Sequence, residues 1–158
     1  MNNNLNTNYL FRALDAYPFN LAETLEALNY ALSYDENDVE ALYLMGVVYA
    51  EQLGDYPSAI VYFEEAIAQQ IDFTKVYPYY ALVLLNNEDY EKAKKAINFA
   101  VTLKGSDKAS LKCIEATLSE CQNKYKKALK IYKEAKKMGL NNDFITYVEG
   151  EISRVEKK

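Results

Sequence analysis

The octapeptide Leu42-Tyr43-Leu44-Met45-Gly46-Val47-Val48-Tyr49 returns in altered form 35 residues later as Tyr77-Pro78-Tyr79-Tyr80-Ala81-Leu82-Val83-Leu84. The apolar triad Leu42, Met45 and Tyr49 becomes Tyr77, Tyr80 and Leu84. After 34 more residues it is Leu111, Ile114 and Leu118, and after another 34 it is Ile145, Val148 and Ile152. Spacing of i, i+3, i+7 places each triad on one face of a helix. Self-similarity at a fixed period of this length marks a repeat architecture.

A second pattern lies between the triads. Tyr56, Ala59, Phe63 and Ala66 recur as Tyr90, Ala93, Ile97 and Ala100, and again as Tyr125, Ala128, Tyr132 and Ala135. Each unit therefore holds two helices joined by a polar turn: Leu53-Gly54-Asp55, Asn86-Asn87-Glu88-Asp89 and Gln122-Asn123-Lys124. Asp and Asn in such turns can accept hydrogen bonds from the free N–H groups of the second helix.

This helix–turn–helix unit resembles the tetratricopeptide repeat family. Leu42, Met45, Gly46, Tyr49, Gly54, Asp55, Tyr56, Ala59, Phe63, Ala66 and Ile67 stand where the family pattern wants them, with one extra residue before Gly54. Residues 77–101 match nearly as well. Residues 111–136 depart at the small-residue site, where Glu115 aligns with Gly46 and Ala81. A shift by one would put Ala116 there but spoil the triad, and apolar burial is the larger effect at roughly 1.5–3 kcal/mol per side chain. Upstream, Leu28, Ala31 and Leu32 precede Phe63, Ala66 and Ile67 by 35 residues. Asn20 with Glu23 reads as a capping box, after a first helix over residues 5–16.

The resemblance covers residues 20–158. It implies an all-α fold, a right-handed α-α superhelix of about four helix-turn-helix units plus a C-terminal capping helix, nine helices in one domain over residues 1–158. The expected limits are a degenerate first unit at 5–34, units at 38–71, 73–104 and 107–139, and a capping helix at 143–157 with Glu149, Glu151, Arg154 and Glu156 toward water. Pro78 falls early in a helix beginning near Thr74, where its missing N–H costs little.

Composition narrows the function. The 158 residues include 15 Tyr, no Trp and no His, with 18 basic and 23 acidic side chains. Without His there is no Ser–His or Cys–His dyad and no His-ligated metal, so a catalytic triad is excluded and an enzyme is not expected. Cys113 and Cys121 read as reduced, buried small residues. Eight helical residues separate them by about 12 Å, too far for a disulfide. Met1-Asn2-Asn3-Asn4-Leu5-Asn6-Thr7-Asn8 has no basic or apolar leader character, and no apolar run is long enough to span a membrane; a cytoplasmic location is expected. Neither cofactor nor metal is called for.

The resemblance implies a non-catalytic adaptor that binds a peptide or helix of a partner protein in a concave groove lined by the first helix of each pair. Carried over by position, that groove holds Glu40, Tyr43, Val47 and Ala50, then Lys75, Pro78, Tyr79, Leu82 and Leu85, then Ala109, Lys112, Ala116 and Ser119. The basic clamp with which one subfamily grips chaperone C-termini is absent: Tyr43, Val47, Tyr79, Ala109 and Cys113 occupy its positions. An apolar or amphipathic segment suits this lining better. Tyr43, Tyr77, Tyr79 and Tyr80 are candidate recognition aromatics.

Charge is unevenly spread. Residues 1–75 hold 12 acids and 2 bases, a balance of −10, whereas residues 76–158 hold 11 acids and 16 bases, a balance of +5. Lys124, Lys126, Lys127, Lys130, Lys133, Lys136 and Lys137 crowd one helix. This admits anion or RNA binding through the lysine-rich half as one alternative; a resemblance in size and architecture to secretion-type repeat chaperones implies another, the holding of an apolar client. The net charge of −5 and the absence of Arg from the lysine cluster argue against nucleic acid. Opposite-sign halves are compatible with a homo-oligomer.

Overall fold

The computed structural model describes residues 3–158, with side chains from Leu5 onward. Met1 and Asn2, on which the leader reading partly rests, lie outside the described residues. Among the described residues nine α-helices follow one another, with no strand: α1 (Asn3–Ala16), α2 (Leu21–Tyr34), α3 (Val39–Val48), α4 (Tyr56–Gln69), α5 (Val76–Asn86), α6 (Tyr90–Ala100), α7 (Lys108–Cys121), α8 (Tyr125–Met138) and α9 (Asn142–Val155). The chain divides into two compact units, Met1–Val76 and Tyr77–Lys158.

In the first unit, Ala13 of α1, Ala27, Leu28 and Ala31 of α2, and Ala41, Leu44, Met45 and Val48 of α3 form one buried cluster. Ala59, Phe63 and Ala66 of α4 are fully buried. The close approach of α3 and α4 depends on Gly46, because a Cβ there would lie 2.5 Å from Phe63 Cε1. The second unit repeats the scheme. Leu111, Ile114 and Leu118 of α7 are buried, as are Ala93, Ile97 and Ala100 of α6 and Ala128, Tyr132 and Ala135 of α8. Cys113, Ala116, Val148 and Val155 join the α8 residues in a cluster closed by α9. The triad register for residues 111–118 thus holds. Glu115, at the small-residue position, is half-buried and pairs with Lys112 at 3.0 Å.

The turns explain the helix limits. Asp38, Asp55, Asp107 and Asn141 each accept an N–H from the third residue onward, at 2.8–3.1 Å. Asn20 does the same for Glu23, whose carboxylate in return accepts from the Asn20 side-chain amide at 3.0 Å. Asp89 makes no cap, because its carboxylate accepts from Asn87 Nδ2 at 2.7 Å. The residue preceding each polar turn's last position is left-handed in all three units: Gly54 at φ 64°, Glu88 at 63° and Asn123 at 57°. The extra residue before Gly54 is absorbed by a π-helical turn over Tyr49–Leu53, which widens the last turn of α3.

Three expectations need correction. The helix carrying Pro78 starts at Val76 rather than near Thr74, since residues 74–75 form a turn. Cys121 is exposed at the end of α7, whereas Cys113 is buried and its thiol is pushed up to about 12 by burial. Glu151 is half-buried, whereas Arg154 is exposed as expected but also turns back to α7, donating to both oxygens of Glu120 at 2.7 and 2.9 Å. Glu120 also accepts from Tyr132 Oη at 2.9 Å and Lys158 Nζ at 3.2 Å, and Tyr132 Oη lies 3.0 Å from Thr117 Oγ1. This cluster fastens the last helix. Burial alone would raise the Glu120 carboxyl, but the hydrogen bonds from Arg154, Tyr132 and Lys158 outweigh it and hold it below the usual carboxylate range.

Candidate partner-binding surface

The residues carried over from the family pattern separate into three groups. Val47 and Leu85 are 4% exposed and offer a partner almost no surface. Ala116 and Ser119 are buried as well. The cause is geometric. A first helix packs against more than one neighbour, so α3 buries every residue from Ala41 to Val48 except Tyr43. Tyr77 and Tyr80 are core residues for the same reason, which removes them from the recognition aromatics.

The second group is already engaged. Glu40 and Lys75 pair with each other at 3.1 Å, and Lys75 Nζ stands 5.9 Å from the centre of the Phe73 ring. Lys112 bridges Glu115 at 3.0 Å and Glu134 at 3.3 Å, and its hydrogen bond to Glu115 leads the shift that raises its pKa. These charges are locally neutralised.

The third group keeps exposed surface. In the first unit the Tyr43 ring packs edge-on against Phe73 at 5.6 Å and tilted against Phe63 at 6.2 Å and remains partly exposed, and Ala50 is half-buried in the π-helical turn after α3. Phe73 was not singled out from sequence; an aromatic three residues before a helix start was its only signal. In the second unit, every residue of α5 from Tyr77 to Leu85 is apolar or aromatic. Tyr77, Tyr80, Ala81, Val83, Leu84 and Leu85 are buried, which leaves Pro78, Tyr79 and Leu82 on the remaining side. Leu82 is 42% exposed, one turn from both Pro78 and Tyr79. Ala109 is half-buried at the start of α7.

No helix among the described residues is long and apolar enough to cross a membrane. Paired helices, buried repeat alanines and left-handed turn residues at one period define a tetratricopeptide-like α-α superhelix. Solved structures share this fold. PilF of Pseudomonas aeruginosa superposes with a TM-score of 0.79 at 16% identity, over 99% of this chain and 71% of that one. MamA of Desulfovibrio magneticus RS-1 gives 0.73 at 18% identity, over 99% and 96%. A thermophilic TPR protein of Thermus thermophilus gives 0.57 at 14% identity, over 97% and 100%. No protein-family model matches the chain, and no curated protein matches it.

Proposed function

We propose that this chain is a non-catalytic protein-interaction module that binds a peptide or helical segment of a partner protein on the open surface of its first helices. The observation that carries the reading is the open apolar side of α5. Pro78, Tyr79 and Leu82 lie within one turn of each other, and Leu82 exposes a large apolar side chain to solvent although most of the helix is buried. Tyr43, braced by Phe63 and Phe73, offers the equivalent rigid aromatic in the first unit. Glu40 and Lys75 form a polar edge beside it. A preorganised surface of this kind loses little entropy on its own side of the complex. Two unbridged thiols suit a reducing compartment such as the cytoplasm.

The test uses the full chain as bait in native lysate, with captured proteins identified by mass spectrometry and then retested individually. Leu82→Glu and Tyr43→Ala should each weaken the recovered complex while far-UV circular dichroism stays helical. Normal binding by both variants would sink the proposal.

A further inference from the structure

We infer that the outer face of α8 is a second docking surface, one that takes an acidic polypeptide segment. Lys126, Lys130, Lys133 and Lys137 follow one another at steps of four, three and four residues, and all four are exposed. At about 100° per residue they fall within about 60° of arc, a single stripe some 16 Å long. Lys127 flanks the stripe. Of these five, Lys133 alone has an ion pair among the described residues, with exposed Glu156 at 3.6 Å.

A solvated helix face is stabilised by mixing signs at i, i+4. Here the spacing sets Lys126 against Lys130 and Lys133 against Lys137, so like charges repel along the helix. The single acid of α8, Glu134, is taken by Lys112 of α7. The start of α8 adds to the imbalance. It has no side-chain cap and no acid in its first turn, yet Lys126 and Lys127 sit there against the positive end of the helix dipole. A cavity opens at that same end, lined by Lys94 of α6, Lys124, Lys127, Asn98 and Gln122, with Glu115 of α7, itself paired with Lys112, also on its wall. Its volume of about 80 Å³ has room for a carboxylate group. Lysines from α6, from the turn before α8 and from α8 itself therefore converge where the stripe begins.

The chemistry favours carboxylates over nucleic acid. No Arg lies on the stripe to fork a phosphate, and the aromatic within it, Tyr132, is fully buried and cannot stack a base. Point-charge ammonium groups along about 16 Å match an extended segment of about five residues at ~3.3 Å each, bearing Asp or Glu. This surface is separate from the apolar side of α5, so either proposal can fail without the other.

The experiment measures fluorescence anisotropy of a labelled oligoglutamate peptide with the full chain. Expected is binding that weakens roughly tenfold from ~0.01 M to ~0.1 M salt, as the Debye length falls from about 30 Å to about 10 Å. Lys126→Gln/Lys130→Gln/Lys137→Gln should abolish it with helicity unchanged, because all three side chains are exposed, while Leu82→Glu should bind the peptide as the parent chain does. Absence of binding at low salt, or equal binding by the triple variant, overturns the inference. Tighter binding of a single-stranded RNA of equal charge through the same lysines would assign the face to nucleic acid instead. A salt-sensitive dimer of the parent chain, lost in the triple variant, would assign it to a second copy.

Discussion

Removing the guanidinium of Arg154 should loosen the last helix by an amount that the geometry bounds. The Glu120 side chain is 6% exposed and holds two hydrogen bonds from Arg154, at 2.7 and 2.9 Å. A hydrogen bond to a charged group nets about 1.5–3 kcal/mol, and breaking a fully buried ion pair costs about 3–5 kcal/mol. The Arg154 side chain is 44% exposed, and Tyr132 and Lys158 still serve Glu120 once Arg154 is gone, so Arg154→Ala should fall below that range, at about 2 kcal/mol. With a urea dependence of about 1–3 kcal/mol per molar, the midpoint should drop by about 1 M. Circular dichroism is the assay, since the chain has no Trp. Glu120→Gln should cost about 1 kcal/mol, because Tyr132 keeps an acceptor. The pH dependence gives a second check. The folded carboxyl of Glu120 lies below its ordinary range, so its stabilisation is complete above the unfolded value, near ~4.3, and is lost as pH falls through the folded value. The stability gap between the parent chain and Glu120→Gln should therefore narrow in acid. An unmoved midpoint for Arg154→Ala, or a gap that persists or widens in acid, would refute the role given to this cluster.

Gly46→Ala should destabilise by about 1–3 kcal/mol in urea unfolding, because the added methyl meets the buried Phe63 ring at 2.5 and 2.6 Å; a gain, as helix propensity alone predicts, would contradict the packing. Glu88→Gly should raise the thermal midpoint with a gain of about 0.5–1 kcal/mol by relieving a left-handed residue at φ 63°, and Asn123→Gly should gain less, because Asn tolerates that region. Thiol labelling of the native chain near neutral pH should modify Cys121 quickly and Cys113 only on unfolding, since burial lifts the Cys113 thiol to about 12; equal rates for both would refute the burial.

The repeat was legible because burial is periodic. Alanine at positions 59, 66, 93, 100, 128 and 135 sits wherever two helices approach, and each is fully buried. The partner-facing residues were harder to read, for a physical reason. α3 and α5 are apolar nearly all round, so no side of either helix is marked as open, and Val47 could not be told from Tyr43 by pattern. Polar residues misled in the opposite direction. Arg154 counts as solvent-facing on composition, yet it reaches Glu120, 34 residues earlier. Lys75 reaches Glu40, 35 residues earlier, and Tyr17 Oη donates to Glu51, 34 residues later. Opposite charges spaced by one repeat period are a usable signal, because residues at that spacing occupy equivalent places on successive repeats.

The same logic separates the two proposed surfaces by their response to salt. Contacts on Pro78, Tyr79 and Leu82 rest on apolar burial, at roughly 25 cal/mol per Å², which salt does not screen. Contacts on the α8 lysines rest on exposed charge, which a Debye length of about 10 Å at 0.1 M largely screens. A partner held at both places would lose affinity with salt through a slower association rate while its dissociation rate stays salt-resistant, since rim charges act mainly on encounter. Leu82→Glu would then speed dissociation, and the lysine triple variant would slow association. If both substitutions changed only the dissociation rate, the lysine face would be acting as a short-range contact rather than as a collector of acidic segments.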